Sequence, residues 1–238
     1  MLRHIRLLVL DLDYLVFDCA ILKGQALRQS LIEFADAIPQ SARLPDAVDA
    51  EEGFCDHGRH WIQFLEIGLN EEQQAELQKV YDFNERQLIQ AGVGCLYPAL
   101  ERELGVCLSE NISLALGADA SRDYLMAVGD RHDLYRFFDI AMFTEEFGAG
   151  SAVEMLDEIM LQAGVNPSEM LVLGIRNTLF EAARSLGMKT IGCGWGLHQH
   201  KGLAEADLQV LAPADLFPAI VKANEIASDY DRFGLDPA

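Results

Sequence analysis

Four consecutive apolar residues, Leu7-Leu8-Val9-Leu10, form the first patterned segment of the chain and run straight into Asp11-Leu12-Asp13. An unbroken apolar run of this length predicts a strand buried on both faces, as in a parallel sheet covered by helices. Side chains repeat every second residue along an extended chain, so Asp11 and Asp13 share one side at the carboxyl end of that strand. Two adjacent anionic groups there cost stability and offer chemistry. From Phe17 to about Gln90 the pattern is helical and lacks strand alternation. Its clearest helix covers 70–90, with Asn70 as N-cap, Gln73 three positions on, and Leu77, Val80, Tyr81, Asn84 and Leu88 at helical spacing. Residues 39–53, rich in Ser, Pro and acids, predict an exposed loop between two helices.

From Gly92 the pattern alternates. Short strands are predicted at 112–116, 140–143, 170–173, 190–193 and 208–211, and helices at 120–128, 152–163, 180–186 and 214–227. Gly164 and Gly187 stand where two of those helices should stop. Strand–helix alternation predicts an α/β fold, a doubly wound parallel sheet, with the early helical block inserted as an α-helical cap. The implied division is a core of 1–16 and 91–238 and a cap of 17–90.

Composition narrows the function. The formal net charge is −20, from 18 Lys and Arg against 38 Asp and Glu, so neither nucleic acid nor an anionic membrane is expected as a partner. Half of the 238 residues are hydrophobic, which excludes a disordered chain. Cys19, Cys55, Cys95, Cys107 and Cys193 are scattered and form no CxxC, which points to a reduced, cytoplasmic setting and away from zinc. Arg3 and Arg6 before the first apolar run imitate a signal peptide, but Asp11 breaks the run too early. No segment approaches the roughly 20 apolar residues needed to span a bilayer.

The stretch Asp11-Leu12-Asp13-Tyr14-Leu15-Val16 resembles the first motif, D-x-D-x-[TV]-h, of the haloacid-dehalogenase superfamily. The stretch from Met170 to Gly196, MLVLGIRNTLFEAARSLGMKTIGCGWG, is similar to that family's fourth-motif region. Tyr135 to Gly148, YRFFDIAMFTEEFG, resembles the segment after its second motif. The position of the helical block resembles the C1-capped branch typified by phosphoglycolate phosphatase and beta-phosphoglucomutase. The resemblance implies that Asp11 is the nucleophile, that Asp13 is the acid/base, and that both aspartates help to hold Mg2+.

Other motif positions depart from the family. Gly117, Ala118 and Asp119 stand where the second motif has Ser or Thr, and Ser121, four residues late, reads as a helix N-cap. Gly148-Ala149-Gly150-Ser151 replaces the third motif's lysine segment, and no lysine occurs between Lys79 and Lys189. Ile175 and Leu179 replace the two fourth-motif aspartates, and Glu181 faces another side of the same helix. With the metal's acids and the phosphate's lysine both gone, Mg2+ is expected to bind weakly. Arg176 is the residue placed to bind an anionic substrate without a metal; its plainer reading is a solvated surface arginine.

The leading expectation is therefore a hydrolase fold with weak or lost activity, kept for binding or assembly, its partner a small phosphorylated molecule or a protein. The alternative is a magnesium-dependent phosphatase of a small phosphorylated metabolite acting through an aspartyl-phosphate. A third reading, a metal-free hydrolase resembling the 2-haloacid dehalogenases, rests on Asn177 and lacks the same lysine and serine. His57 and His60 with Asp56 have metal-like spacing but no third ligand nearby, and read as a polar loop. VGDRHD, 128–133, imitates the lost fourth motif but reads as a turn after a helix. Gly192 to Gly196 reads as a tight turn, with His198 and His200 beyond it as candidates for the rim of the cleft.

Overall fold

In the chain's computed structural model, which describes residues 5–147, 151–196 and 201–233, the apolar run forms β1 (Leu7–Leu10), every residue of it buried. A tight loop, in which the Val16 and Phe17 N–H groups both donate to Leu12 O, leads to β2 (Phe17–Asp18). The helical insertion follows: α1 (Ala20–Glu33), α2 (Ala47–His57), a 3-10 segment (Gly58–Phe64) and α3 (Glu71–Gln90). β3 (Cys95–Leu96) returns antiparallel to β2, so one short ribbon joins the insertion's entry and exit. The rest of the chain alternates: α4 (Pro98–Ser109), β4 (Ser113–Ala118), α5 (Arg122–His132), β5 (Ile140–Phe143), α6 (Ala152–Ala163), β6 (Met170–Gly174), α7 (Asn177–Ser185), β7 (Lys189–Cys193), β8 (Leu208–Val210) and α8 (Leu216–Phe233).

The six main strands lie in the order β5-β4-β1-β6-β7-β8, and every pairing is parallel. Connections run outward from β1 in both directions, so its carboxyl end is the topological switch point, where open α/β sheets place ligands. Leu8 and Leu10 face the larger core cluster, while Leu7 and Val9 face a second with Met155, Leu156 and Ile159 of α6 and Leu179 of α7. The α/β expectation therefore holds at the level of sheet and layers.

Local signals account for the boundaries. Asn70 and Gln73 form a reciprocal capping box at α3, and Ser121 accepts from Tyr124 N–H to cap α5, as the sequence predicts. Gly164 ends α6 in the left-handed conformation. Two expectations are corrected. The predicted loop 39–53 contains the start of α2, because Asp46 and Asp49 make a second capping box that launches the helix early. β4 continues beyond residue 116 through Gly117 and Ala118, which carries Asp119 to the mouth of the sheet. No helix among the described residues is long and apolar enough to cross a membrane.

Candidate functional site

Asp11 lies one residue beyond β1, its N–H donating to Leu173 O of β6 at 2.9 Å. Asp119 follows the last residue of neighbouring β4, and Arg176 follows β6 as the N-cap residue of α7. Three adjacent strands thus present Asp11 and Asp119, each the first residue past its strand, and Arg176, the second past β6, to one spot. Arg176 Nη1 donates to Asp119 Oδ2 at 2.6 Å, and Arg176 Nε stands 3.7 Å from Asp11 Oδ2, an ion pair without a hydrogen bond. Asp11 Oδ1 accepts from Leu12 N–H at 2.9 Å, while Oδ2 has no hydrogen-bond partner. Arg176 is 8 % exposed, so it is not the solvated surface side chain of its plainer reading.

Asp13 is held by different groups. Lys23 Nζ of α1 lies 2.8 Å from its Oδ2, and Tyr124 OH of α5 donates to its Oδ1 at 2.6 Å. Lys23 also reaches Glu85 Oε1 of α3 at 3.2 Å, and Tyr81 OH donates to the same oxygen at 2.9 Å. The Phe54 ring of α2 is close to both cations, its centroid 4.3 Å from Lys23 Nζ and 5.4 Å from Arg176 Cζ. Every helix of the insertion therefore contributes a side chain to the aspartate pair's surroundings. Gly58 makes the closest approach: at φ 62° it abuts Asp119, where any Cβ would collide with the carboxylate. Behind the aspartates, Trp195 Nε1 donates to Leu15 O at 2.9 Å, and Gly196 presses on the Tyr14 carbonyl. The expected tight turn over 192–196 is shorter than predicted: Gly192 and Cys193 complete β7, and only Trp195 and Gly196 turn against the loop after β1; His198 and His200 lie outside the described residues.

Burial dominates the electrostatics. It pushes the Asp11 carboxyl up to about 6, against the pull of Arg176 and with the repulsion of Asp13 and Asp119. For Asp119, burial acts upward too, but Arg176, the Thr144 hydroxyl at 2.7 Å and the Arg59 N–H outweigh it and hold the carboxyl below its ordinary value. Burial would strip Lys23 of its proton, yet Asp13 and Glu85 hold it firmly charged. Glu85 is raised by burial, in spite of Lys23.

A cavity of about 400 Å³ opens between the 3-10 segment and the sheet, lined among others by His57, Arg59, Asp119, Thr144, Arg176 and Thr178. Neither Asp11 nor Asp13 lines it, and they are 1 % and 4 % exposed. The fourth-motif positions fall where the register predicts, since β6 pairs with β1 and Ile175 follows Gly174 at the mouth. Ile175 and Leu179 are 1 % and 2 % exposed, hydrocarbon in place of carboxylate. Glu181 is exposed and accepts from Asn177 Nδ2, away from the aspartates.

The residues present do not fit magnesium. That ion wants near-ideal octahedral oxygen coordination at about 2.0–2.1 Å. Here the acids that could supply it face a guanidinium that supplies the positive charge itself. No group of three or more His, Cys, Asp or Glu among the described residues is arranged to hold a metal. His57 stacks on Phe64 at 4.0 Å and His60 contacts Arg59, both on the exposed side. VGDRHD forms the last turns of α5, and Asp133 closes it in a left-handed cap.

Lys23, Phe54, Glu85, Asp119 and Tyr124 were not singled out from the sequence. Lys23 carried a faint signal, a lone lysine in the apolar run Ala20-Ile21-Leu22-Lys23. The sequence pattern ends β4 at residue 116, two residues short of its observed end, and so leaves Asp119 away from the mouth of the sheet.

No family model matches the chain, and no curated protein matches it in sequence. Solved structures match it in fold. A haloacid-dehalogenase-like hydrolase from Streptococcus pneumoniae superposes with a TM-score of 0.76 at 16 % identity, over 90 % of this chain and 98 % of that one. CbbY from Rhodobacter sphaeroides, in complex with phosphate, gives 0.71 at 16 % identity, over 89 % and 96 %. A Lactobacillus plantarum protein described as a phosphoglycolate phosphatase gives 0.75 at 13 %, over 91 % and 99 %. The chain has the haloacid-dehalogenase-like hydrolase fold, over nearly its full length.

Proposed function

We propose that the aspartate pair of this hydrolase fold no longer carries out metal-dependent phosphoryl transfer, and that the protein acts by binding or assembly. One observation carries the reading: the Arg176 guanidinium spans Asp119 and Asp11 with the Asp11 carboxylate buried beneath it. A nucleophile must meet phosphorus in line, and a cation must screen that meeting of anions. In this protein the cation is internal and directed at the protein's own carboxylates. The second anion of the pair is engaged likewise by Lys23. Residues 17–90 are taken as a cap over a core of 1–16 and 91–238, because the insertion supplies Lys23, Phe54 and Glu85 to the site. The partner is a small phosphorylated molecule or a protein. Arg176 keeps an anion-binding role in this proposal, since with Arg59 and Thr178 it lines the cavity. The cytoplasm is the compartment in which five free thiols suit the chain.

The competing reading, a magnesium-dependent phosphatase, draws on the unpartnered Asp11 Oδ2 and the adjoining cavity. It requires the insertion to swing away and Arg176 to give up Asp119. Hydrolysis of a generic aryl phosphate with magnesium separates the two. The unmodified protein is expected to match its own Asp11→Asn variant, because nucleophile, phosphate clamp and cation act as a unit. Turnover that disappears in Asp11→Asn would establish the phosphatase.

A further inference from the structure

A second cavity, of about 640 Å³, lies away from the aspartates, between the C-terminal half of α1 and the segment that leads into α2. Its walls are apolar: Leu27, Leu31 and Ile32 on the helix, Ile38, Ala42 and Leu44 on the facing segment. Ile32 and Leu44 are 65 % and 53 % exposed, a large hydrocarbon exposure for side chains on facing walls. Two charged residues line it. Asp46 is committed to capping α2, its carboxylate accepting from the Val48 and Asp49 N–H groups. Arg28 is exposed and has no ion-pair partner among the described residues, in a chain with twice as many acids as bases.

We propose that this cavity binds the hydrocarbon tail of a long-chain carboxylate, whose head group pairs with Arg28. The volume falls within the range of small-molecule pockets, which are apolar with a few polar groups that set orientation. The free guanidinium supplies charge complementarity at the rim, and a carboxylate meets it in a two-pronged hydrogen-bonded pair. A second copy of the chain is a poorer occupant, since it would bring a formal charge of −20 against the same charge.

The test is calorimetric titration of the full chain with octanoate, decanoate and dodecanoate below their micellar concentrations. One-to-one binding is expected, tightening about fourfold per added methylene, as the burial free energy of a CH2 group dictates. Arg28→Gln should weaken dodecanoate about tenfold, the loss of a hydrogen bond to a charged group, and leave dodecanol unchanged. Ile32→Glu, a substitution on an exposed helix face, sets a carboxylate one turn from Arg28 and should abolish dodecanoate binding with circular dichroism unaltered. Absence of saturable binding, an affinity indifferent to chain length, or an unaffected Arg28→Gln would overturn the proposal. So would a ligand-free dimer that Ile32→Glu converts to monomer, because the cavity would then belong to an interface.

Discussion

Tyr14 holds its backbone at φ 59°, a left-handed conformation that an aromatic residue rarely adopts. Its ring is buried and lies 5.7 Å from Phe54, so the strain is sustained by packing between the loop after β1 and α2. The neighbouring Asp11 bears an electrostatic burden instead. Its carboxyl rises from 3.8 unfolded to about 6 in the fold, so the native state holds the proton more tightly than the unfolded chain. Stability attributable to Asp11 is therefore undiminished below pH 3.8, declines as pH rises towards 6 and is lost above it. The shift corresponds to a penalty on the order of 3 kcal/mol at neutral pH. Asp11→Asn is expected to gain about that much relative to the unmodified protein between pH 3.5 and 7.5. Urea midpoints of both proteins at the two pH values measure it; an equal difference at both would show that the charge is not the cause.

At the scale of elements, the insertion is fastened to the sheet through charge. Lys23 of α1 joins Asp13 of the core to Glu85 of α3, while Asn84 of α3 donates to Ser30 and Glu33 of α1 at 3.0 Å. Removing one partner from a buried ionic cluster leaves the others uncompensated. Lys23→Met is therefore expected to destabilise the fold by about 3–5 kcal/mol. Combining it with Asp13→Asn and Glu85→Gln should recover much of that loss, since no buried charge is then stranded. Denaturant unfolding of the single and triple variants checks this; a triple variant no better than the single would mean that packing of the lysine stem, rather than charge, holds the helices.

The same elements explain what could be read from the sequence. The strands of the sheet were legible because both of its faces are covered, which leaves uninterrupted apolar runs such as Leu171-Val172-Leu173. α3 was legible from its cap and its period. α2 was not, since its starting signal is a pair of aspartates inside a stretch of loop-like composition. For the site, Asp11, Asp13 and Arg176 were legible from their positions against a known motif. Lys23, Glu85 and Asp119 were not, because their roles depend on which helix crosses which strand, and no local pattern encodes that.

Over the whole molecule, a net charge of −20 surrounds a centre whose own cations, Arg176 and Lys23, point inward at Asp11, Asp119, Asp13 and Glu85. The surface favours divalent cations in general, as any strongly acidic protein does. The centre does not, because its carboxylates are already paired and its fourth-motif positions are Ile175 and Leu179. Titration calorimetry of the unmodified protein with magnesium at near-physiological salt tests that distinction most directly. Only weak heats are predicted, with no site tighter than millimolar and no change in Asp11→Asn. A micromolar site that Asp11→Asn abolishes would contradict the account and show that Arg176 yields its place to the metal.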